Sequence, residues 1–200
     1  MFKTIDEILE EIGEDKYQNL STTSFKFKKD VWEFFKGSDK LNCVEFGTHK
    51  GQTTRVLSHL FDKGLVYTVN LPGHFDSAKK LNFDRTNIKY VGFDLYQTSI
   101  EENFNHKPIS VFFIDAVHTE SAVLTDVART GNMKLADGDI YYIFDDYGLE
   151  RPVWQAVNQM MYVGKLEKVQ YIGHEPNTSF GGQPERSLRD WEGIICKLCR

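Results

Sequence analysis

Three short stretches carry side chains that can do chemistry together: Glu45-x-Gly47-x-x-x-Gly51, Asp115 with His118 three residues on, and Asp145-Asp146. Glycine at 47 permits a tight turn and close backbone approach. Glycine at 51 lets a following helix begin with free N–H groups turned outward, which suits a carboxylate or phosphate. A dinucleotide loop needs Gly-x-Gly-x-x-Gly, and a carboxylate at 45 repels a pyrophosphate, so the turn fits a cationic or amino-bearing ligand better. Glycines at this spacing also serve packing alone in many α/β proteins. If the strands they end are neighbours, Asp115, Asp145 and Asp146 form a carboxylate cluster for a hard divalent cation. Magnesium fits because it takes few carboxylates and keeps positions for water or substrate oxygens. The competing reading is that Asp145 and Asp146 cap the helix near Pro152. His118 titrates near neutrality and suits a general base for a hydroxyl, or a structural place in its loop.

The elements that must position these residues follow from the apolar pattern, which alternates between strand and helix periods along the chain. Thr4-x-x-Glu7 is a capping box ahead of Ile5, Ile8, Leu9 and Ile12, and a second helix is expected over 28–35. Strands are expected at 41–46, 65–69, 88–92, 109–114 and 140–144, the fourth nearly continuous in apolar residues as a central parallel strand should be. Helices follow from about Gln52, after the capping box Thr98-x-x-Glu101, through Val123–Ala128, and from Pro152. Two closing strands are expected at 169–173 and 193–198, separated by a polar loop over 175–190 that reads as a lid or binding loop. Alternating βα units place ligands outside the carboxyl ends of the strands, where all three chemical stretches fall.

The chain has 200 residues, 40% of them hydrophobic and 14% aromatic, enough for one substantial core, and it is read as a single domain over 1–200 with a helical segment at 1–38 and an α/β core at 41–200. With 24 basic and 29 acidic residues the net charge is −5, so no field gathers polyanions and nucleic acid is not expected as a partner. Acidic residues at Asp6 and Glu7 interrupt any signal-like start, and no stretch is long enough to span a bilayer, which points to a cytoplasmic protein without a membrane partner. Cys43, Cys196 and Cys199 make no disulfide framework, and the Cys-x-x-Cys at 196–199 lies in a β-like stretch rather than at a helix start, as ordinary strand-end cysteines. Trp32, Phe34, Phe35, Tyr141, Tyr142 and Trp154 read as core.

Val44-Glu45-Phe46-Gly47-Thr48-His49-Lys50-Gly51-Gln52-Thr53-Thr54, Phe113-Ile114-Asp115-x-x-His118 and Ile143-Phe144-Asp145-Asp146-Tyr147-Gly148 together resemble the class I S-adenosylmethionine-dependent methyltransferases, in particular the small-molecule O-methyltransferases with metal-binding aspartates. The resemblance runs from about 41 to 198. It implies an α/β fold: a Rossmann-like, doubly wound, mostly parallel seven-stranded sheet with helices on both faces and a C-terminal antiparallel strand. By the same resemblance Glu45, Gly47 and Gly51 hold the methionine part of S-adenosylmethionine, with Thr48 and Thr53 as hydroxyl partners. Where the family ends its second strand in an acid that grips the ribose, this chain has Asn70, which hydrogen-bonds without the charge. Asp94 matches the segment beside the adenine. Asp115, Asp145 and Asp146 match the ligands of a magnesium ion that binds the acceptor hydroxyl, with Asp115 and His118 as catalytic residues. Relatives carry a second acid two places after the first, and here that place is Val117.

The expected activity is therefore magnesium-assisted O-methylation of a small molecule bearing a hydroxyl group. Two alternatives remain: a cofactor-binding module without methyl transfer, motivated by Asn70 and Val117, and another metal-dependent enzyme using the Asp/His cluster. Arg186, Arg189 and Trp191 are candidates for an anionic or flat acceptor, or else solvated loop residues. A homo-oligomer is compatible with the sequence.

Overall fold

The computed structural model describes residues 3–13, 23–93, 104, 107–180 and 183–200, and of 179–187 no side chain. Asp94 and the Thr98–Glu101 capping box lie outside the described residues, and so does the side chain of Arg186.

The helical N-terminal segment forms as its capping signals require. Thr4 and Glu7 cap α1 (Ile5–Glu11) reciprocally, and Ser24 caps α2 (Phe25–Phe35) by accepting from the Phe27 amide, so the second helix begins three residues before the expected 28. Then come β1 (Cys43–Phe46), α3 (Gln52–Leu60), β2 (Val66–Asn70), α4 (Asp76–Leu81), β3 (Ile88–Gly92), β4 (Val111–Ile114), α5 (Glu120–Thr130), β5 (Tyr141–Phe144), α6 (Arg151–Tyr162), β6 (Leu166–Ile172), β7 (Ser179–Phe180), β8 (Gln183–Ser187) and β9 (Gly193–Leu198). Pro152 sits in the first turn of α6, where its missing N–H costs nothing.

Seven strands make one sheet in the order β3-β2-β1-β4-β5-β9-β6, with β1 to β5 parallel and β9 antiparallel to both of its neighbours. The order reverses between β1 and β4, whose register pairs Phe46 with Ile114, so Gly47 and Asp115 leave the sheet side by side. β4 and β5 are also neighbours, Ile114 opposite Phe144, which brings Asp145 to the same end.

Strand alternation sorts the apolar side chains onto two faces. Phe46, Phe112, Ile114, Tyr142 and Phe144 pack on one face with Val123 and Val127 of α5 and Val153, Ala156 and Val157 of α6. Cys43, Val111, Phe113 and Ile143 pack on the other with Phe27, Val31 and Phe35 of α2 and Leu57 of α3. Helices thus cover both faces. The expected core aromatics all lie in or against these clusters, and the three cysteines are free thiols, Cys199 exposed just beyond β9.

Three expectations need correction. The 175–190 stretch is not only loop: β7 and β8 pair as a short antiparallel hairpin within it. β6 starts at Leu166 rather than 169, because its exposed middle, Glu167 to Gln170, carries little apolar signal. Helix α4 was not anticipated; it is short, lacks a side-chain cap and buries only Ala78. No helix among the described residues is long and apolar enough to cross a membrane.

Candidate active site

The turn after β1 is built around Gly47. Its φ is 102°, and a Cβ there would lie 1.8 Å from the carbonyl oxygen of Asp115, so only glycine lets the two strand ends close on each other. Thr23, Gly47, Thr48, His49, Thr53 and Asp115 border one small cleft above this turn. Gly51, at φ 81°, precedes α3 without a side-chain cap, which leaves the first amides of that helix available. Its own need for glycine comes from packing: a Cβ there would meet the Ala78 Cβ at 2.6 Å.

Glu45, expected from the resemblance to hold the methionine part of the cofactor, lies in β1. It is fully buried beneath the turn, outside the cleft wall. Its Oε2 accepts from Thr54 Oγ1 at 2.5 Å and from Thr68 Oγ1 at 2.6 Å, while Oε1 has no partner. Burial raises its carboxyl from 4.5 to about 8; the two threonine hydroxyls oppose that rise and the Asp115 charge adds to it. Thr48 Oγ1 lies 2.6 Å from Thr68 Oγ1 and joins the same network, and Thr53 Oγ1 lies 3.2 Å from Thr23 Oγ1 across the cleft. Asn70, half-buried at the end of β2, accepts from its neighbour Leu71 N at 2.9 Å, and its amide reaches the His74 carbonyl at 3.4 Å.

The acidic tips of β4 and β5 meet. Asp115 N donates to Phe46 O and Asp145 N to Ile114 O, which carries both strand ends to one level. His118 Nε2 stands 3.4 Å from Asp115 Oδ1 and 3.2 Å from Asp146 Oδ2, and one ligand atom from each of the three residues lies within 4.8 Å of the others. The group is open to the surface, with Asp115, Asp146 and His118 side chains 24%, 20% and 36% exposed. Asp146 has φ 54°, a conformation that a residue other than glycine rarely adopts; it rotates this second aspartate toward His118. Asp145, by contrast, is buried and stands outside the set of three. The capping alternative for this pair does not describe α6, whose N-cap is Glu150 without a side-chain bond.

The electrostatics of this end of the sheet show a shortage of positive charge. Burial, with only the His118 hydrogen bond and nearby cations opposing it, raises the Asp115 carboxyl. Asp145 is raised well above the carboxylate range by burial and then by Asp146, Asp115 and Glu192, and Asp146 is raised by burial against the pull of His118. His118 is raised to about 8, first by its bond to Asp115, burial opposing. Two residues not singled out from sequence belong here. Lys28 of α2 is buried, donates to the Thr23 carbonyl, and draws down both Glu45 and Asp115. Its signal was the helical period, since Lys28, Val31 and Phe35 share one stripe. Glu192, also buried, accepts from Ser24 N, Ser24 Oγ and His174 N and so ties the start of α2 to the strands β6 and β9. Trp191 stacks on Tyr171, with ring centroids 5.9 Å apart, and Arg189 N bonds the Gly148 carbonyl.

No protein-family model matches the sequence, and no curated protein does. Solved structures do. The chain is similar to the O-methyltransferase from Bacillus cereus in complex with SAH, with a TM-score of 0.60 at 16% identity over 98% of this chain and 90% of that one. It is similar to cofactor-bound Rv0187 from MTB, TM-score 0.66 at 15% identity over 97% and 88%, and to Aeropyrum pernix fibrillarin with natively bound S-adenosyl-L-methionine, TM-score 0.56 at 17% identity over 84% and 74%. At these identities the likeness defines the fold alone, a Rossmann-like doubly wound sheet with one antiparallel strand.

Proposed function

We propose that the protein is an S-adenosylmethionine-dependent O-methyltransferase acting on a hydroxyl of a small molecule, assisted by a divalent cation, magnesium in the first instance. One observation carries the reading: Gly47 of the cofactor-type turn and Asp115 of the acidic cluster share one cleft at the reversal of strand order. In this reading Gly47, Thr48, Gly51 and Thr53 border the methionine end of the cofactor, Asn70 meets the ribose, and Asp94 belongs to the adenine side. Glu45 acts from below by fixing Thr68 and Thr54, and with them the turn.

The donor set fits a cation. Two carboxylate oxygens and an imidazole nitrogen converge, and crowded carboxylates with raised proton affinity are what a bound positive charge relieves. Asp115 and Asp146 would hold the ion, with Asp145 behind them and His118 beside them; when bound, the ion lowers the pKa of an acceptor hydroxyl. Asp115 and His118 form the catalytic end of the cleft, where that hydroxyl is oriented toward the methyl group and loses its proton. Positioning supplies much of the rate in such a displacement.

The similarity to Methanococcus jannaschii fibrillarin, described as a pre-rRNA processing protein, raises an RNA acceptor as a second reading. The net charge of −5 and the acidic rim favour a small acceptor without a polyanionic backbone. The group of Asp115, His118 and Asp146 also suits another metal-dependent reaction without a methyl donor. Calorimetry with S-adenosylhomocysteine, with and without magnesium, tests the proposal: saturable binding is expected, and absence of heat under both conditions would sink it.

A further inference from the structure

We infer that His118 is a ligand of the cation, the third beside Asp115 and Asp146, rather than the base that accepts the hydroxyl proton. This rests on the cation-assisted reading above and assigns the residue within it.

His118 Nε2 faces Asp115 Oδ1 at 3.4 Å and Asp146 Oδ2 at 3.2 Å. Both separations exceed the roughly 2.7–2.9 Å of a charge-assisted N–H···O bond. The ring's hydrogen bond to Asp115 is thus a long one, and one N–H cannot point at both carboxylates. The distances match the edges of a coordination shell instead: ligands at about 2.1 Å from a common ion stand about 3.0 Å apart at right angles and about 3.4 Å apart at a tetrahedral angle. One ligand atom from each of the three residues lies within 4.8 Å of the other two.

Alternative donors at this cluster are fewer than the carboxylate count suggests. Asp145 lies outside the group, and position 117, which faces solvent beside the cluster, is a valine with no donor atom. A base needs its lone pair aimed at the acceptor, whereas Nε2 is turned toward the two carboxylates. An imidazole donor also shifts preference along the divalent series, so the site should take manganese or another first-row ion ahead of magnesium.

The test is manganese bound to the whole protein and read by pulsed electron paramagnetic resonance. We expect ¹⁴N hyperfine coupling from one imidazole, lost in both His118→Gln and His118→Asp, with manganese affinity at least tenfold weaker in His118→Gln and S-adenosylhomocysteine affinity unchanged in both. Manganese bound without ¹⁴N coupling, or coupling that persists in the variants, overturns the inference and leaves the methyltransferase reading standing. Absence of any manganese or magnesium binding overturns the inference together with the cation-assisted part of that reading. If a His118 variant fails to fold, a wild-type spectrum without ¹⁴N coupling still overturns the inference, and coupling lost in His49→Gln, the other imidazole bordering the cleft, overturns it as well.

Discussion

The hydroxyl of Thr68 on β2 holds the carboxyl of Glu45 on β1 at 2.6 Å, in a layer with no access to water. Because the folded carboxyl titrates at about 8 against 4.5 in its ordinary state, the native chain keeps a proton that the unfolded chain releases across that interval. The sign follows: this contribution to stability is intact below the unfolded value and is lost as pH rises through the folded one. Glu45→Gln cannot ionise and should flatten the profile, by on the order of 3 kcal/mol between pH 5 and 8. Urea denaturation of both proteins at the two pH values measures it, and parallel losses would contradict a buried, protonated Glu45.

Gly47→Ala should destabilise the fold by about 3 kcal/mol or more, since it combines a positive φ with a Cβ driven into the Asp115 carbonyl. Gly73, also at positive φ but with open space around it, supplies the control: Gly73→Ala should cost about 1 kcal/mol. Thermal melts of the two variants give the comparison, and equal shifts would mean that the contact between β1 and β4 is not the constraint.

Cation binding should depend on pH in a defined direction. The Asp115 and Asp146 carboxyls lie above their ordinary range, so acid protonates them and closes the site, while alkaline conditions expose two charges that a cation offsets. Millimolar manganese or magnesium is expected to raise the melting temperature more at pH 8 than at pH 5.5, by an amount equivalent to about 2.7 kcal/mol at a hundredfold excess over Kd. Asp146→Asn should remove most of the effect. A shift of equal size at both pH values would point to a binding place elsewhere.

Asn70→Asp should tighten S-adenosylhomocysteine about fivefold, because a carboxylate forms stronger hydrogen bonds to ribose hydroxyls than an amide does. The residue already turns its oxygen to its own backbone neighbour, so the substitution keeps the local turn. Calorimetry of the pair would reveal it; unchanged or weaker binding would remove Asn70 from the ribose role.

Much of the frame was legible because the buried strands announce themselves. β4 and β5 are nearly unbroken apolar runs between polar turns, and the starts of α1 and α6 are marked by Thr4 with Glu7 and by Pro152. What escaped was weakly patterned. β6 lies at the sheet edge with four successive exposed residues, and α4 offers one buried side chain, so neither produces a period. At the site, the convergence of Asp115 with the 145–146 pair followed from strand order. Which of the two aspartates turns toward Asp115 did not, because the positive φ at Asp146 breaks the strand alternation that a reading of sequence relies on. That Glu45 binds Thr54 and Thr68 depends on hydroxyls 9 and 23 residues away, which no local motif links.

The reversed strand β9 sits between β5 and β6 and pairs with both. Assembly of this sheet is therefore not vectorial: β1 to β5 can zip together in the order they are synthesised, but Leu166–Ile172 must wait, unmated, until Gly193–Leu198 threads in beside it. A nascent chain stopped short of residue 193 would display two raw β edges at once, and that interval is where this protein should most need a chaperone.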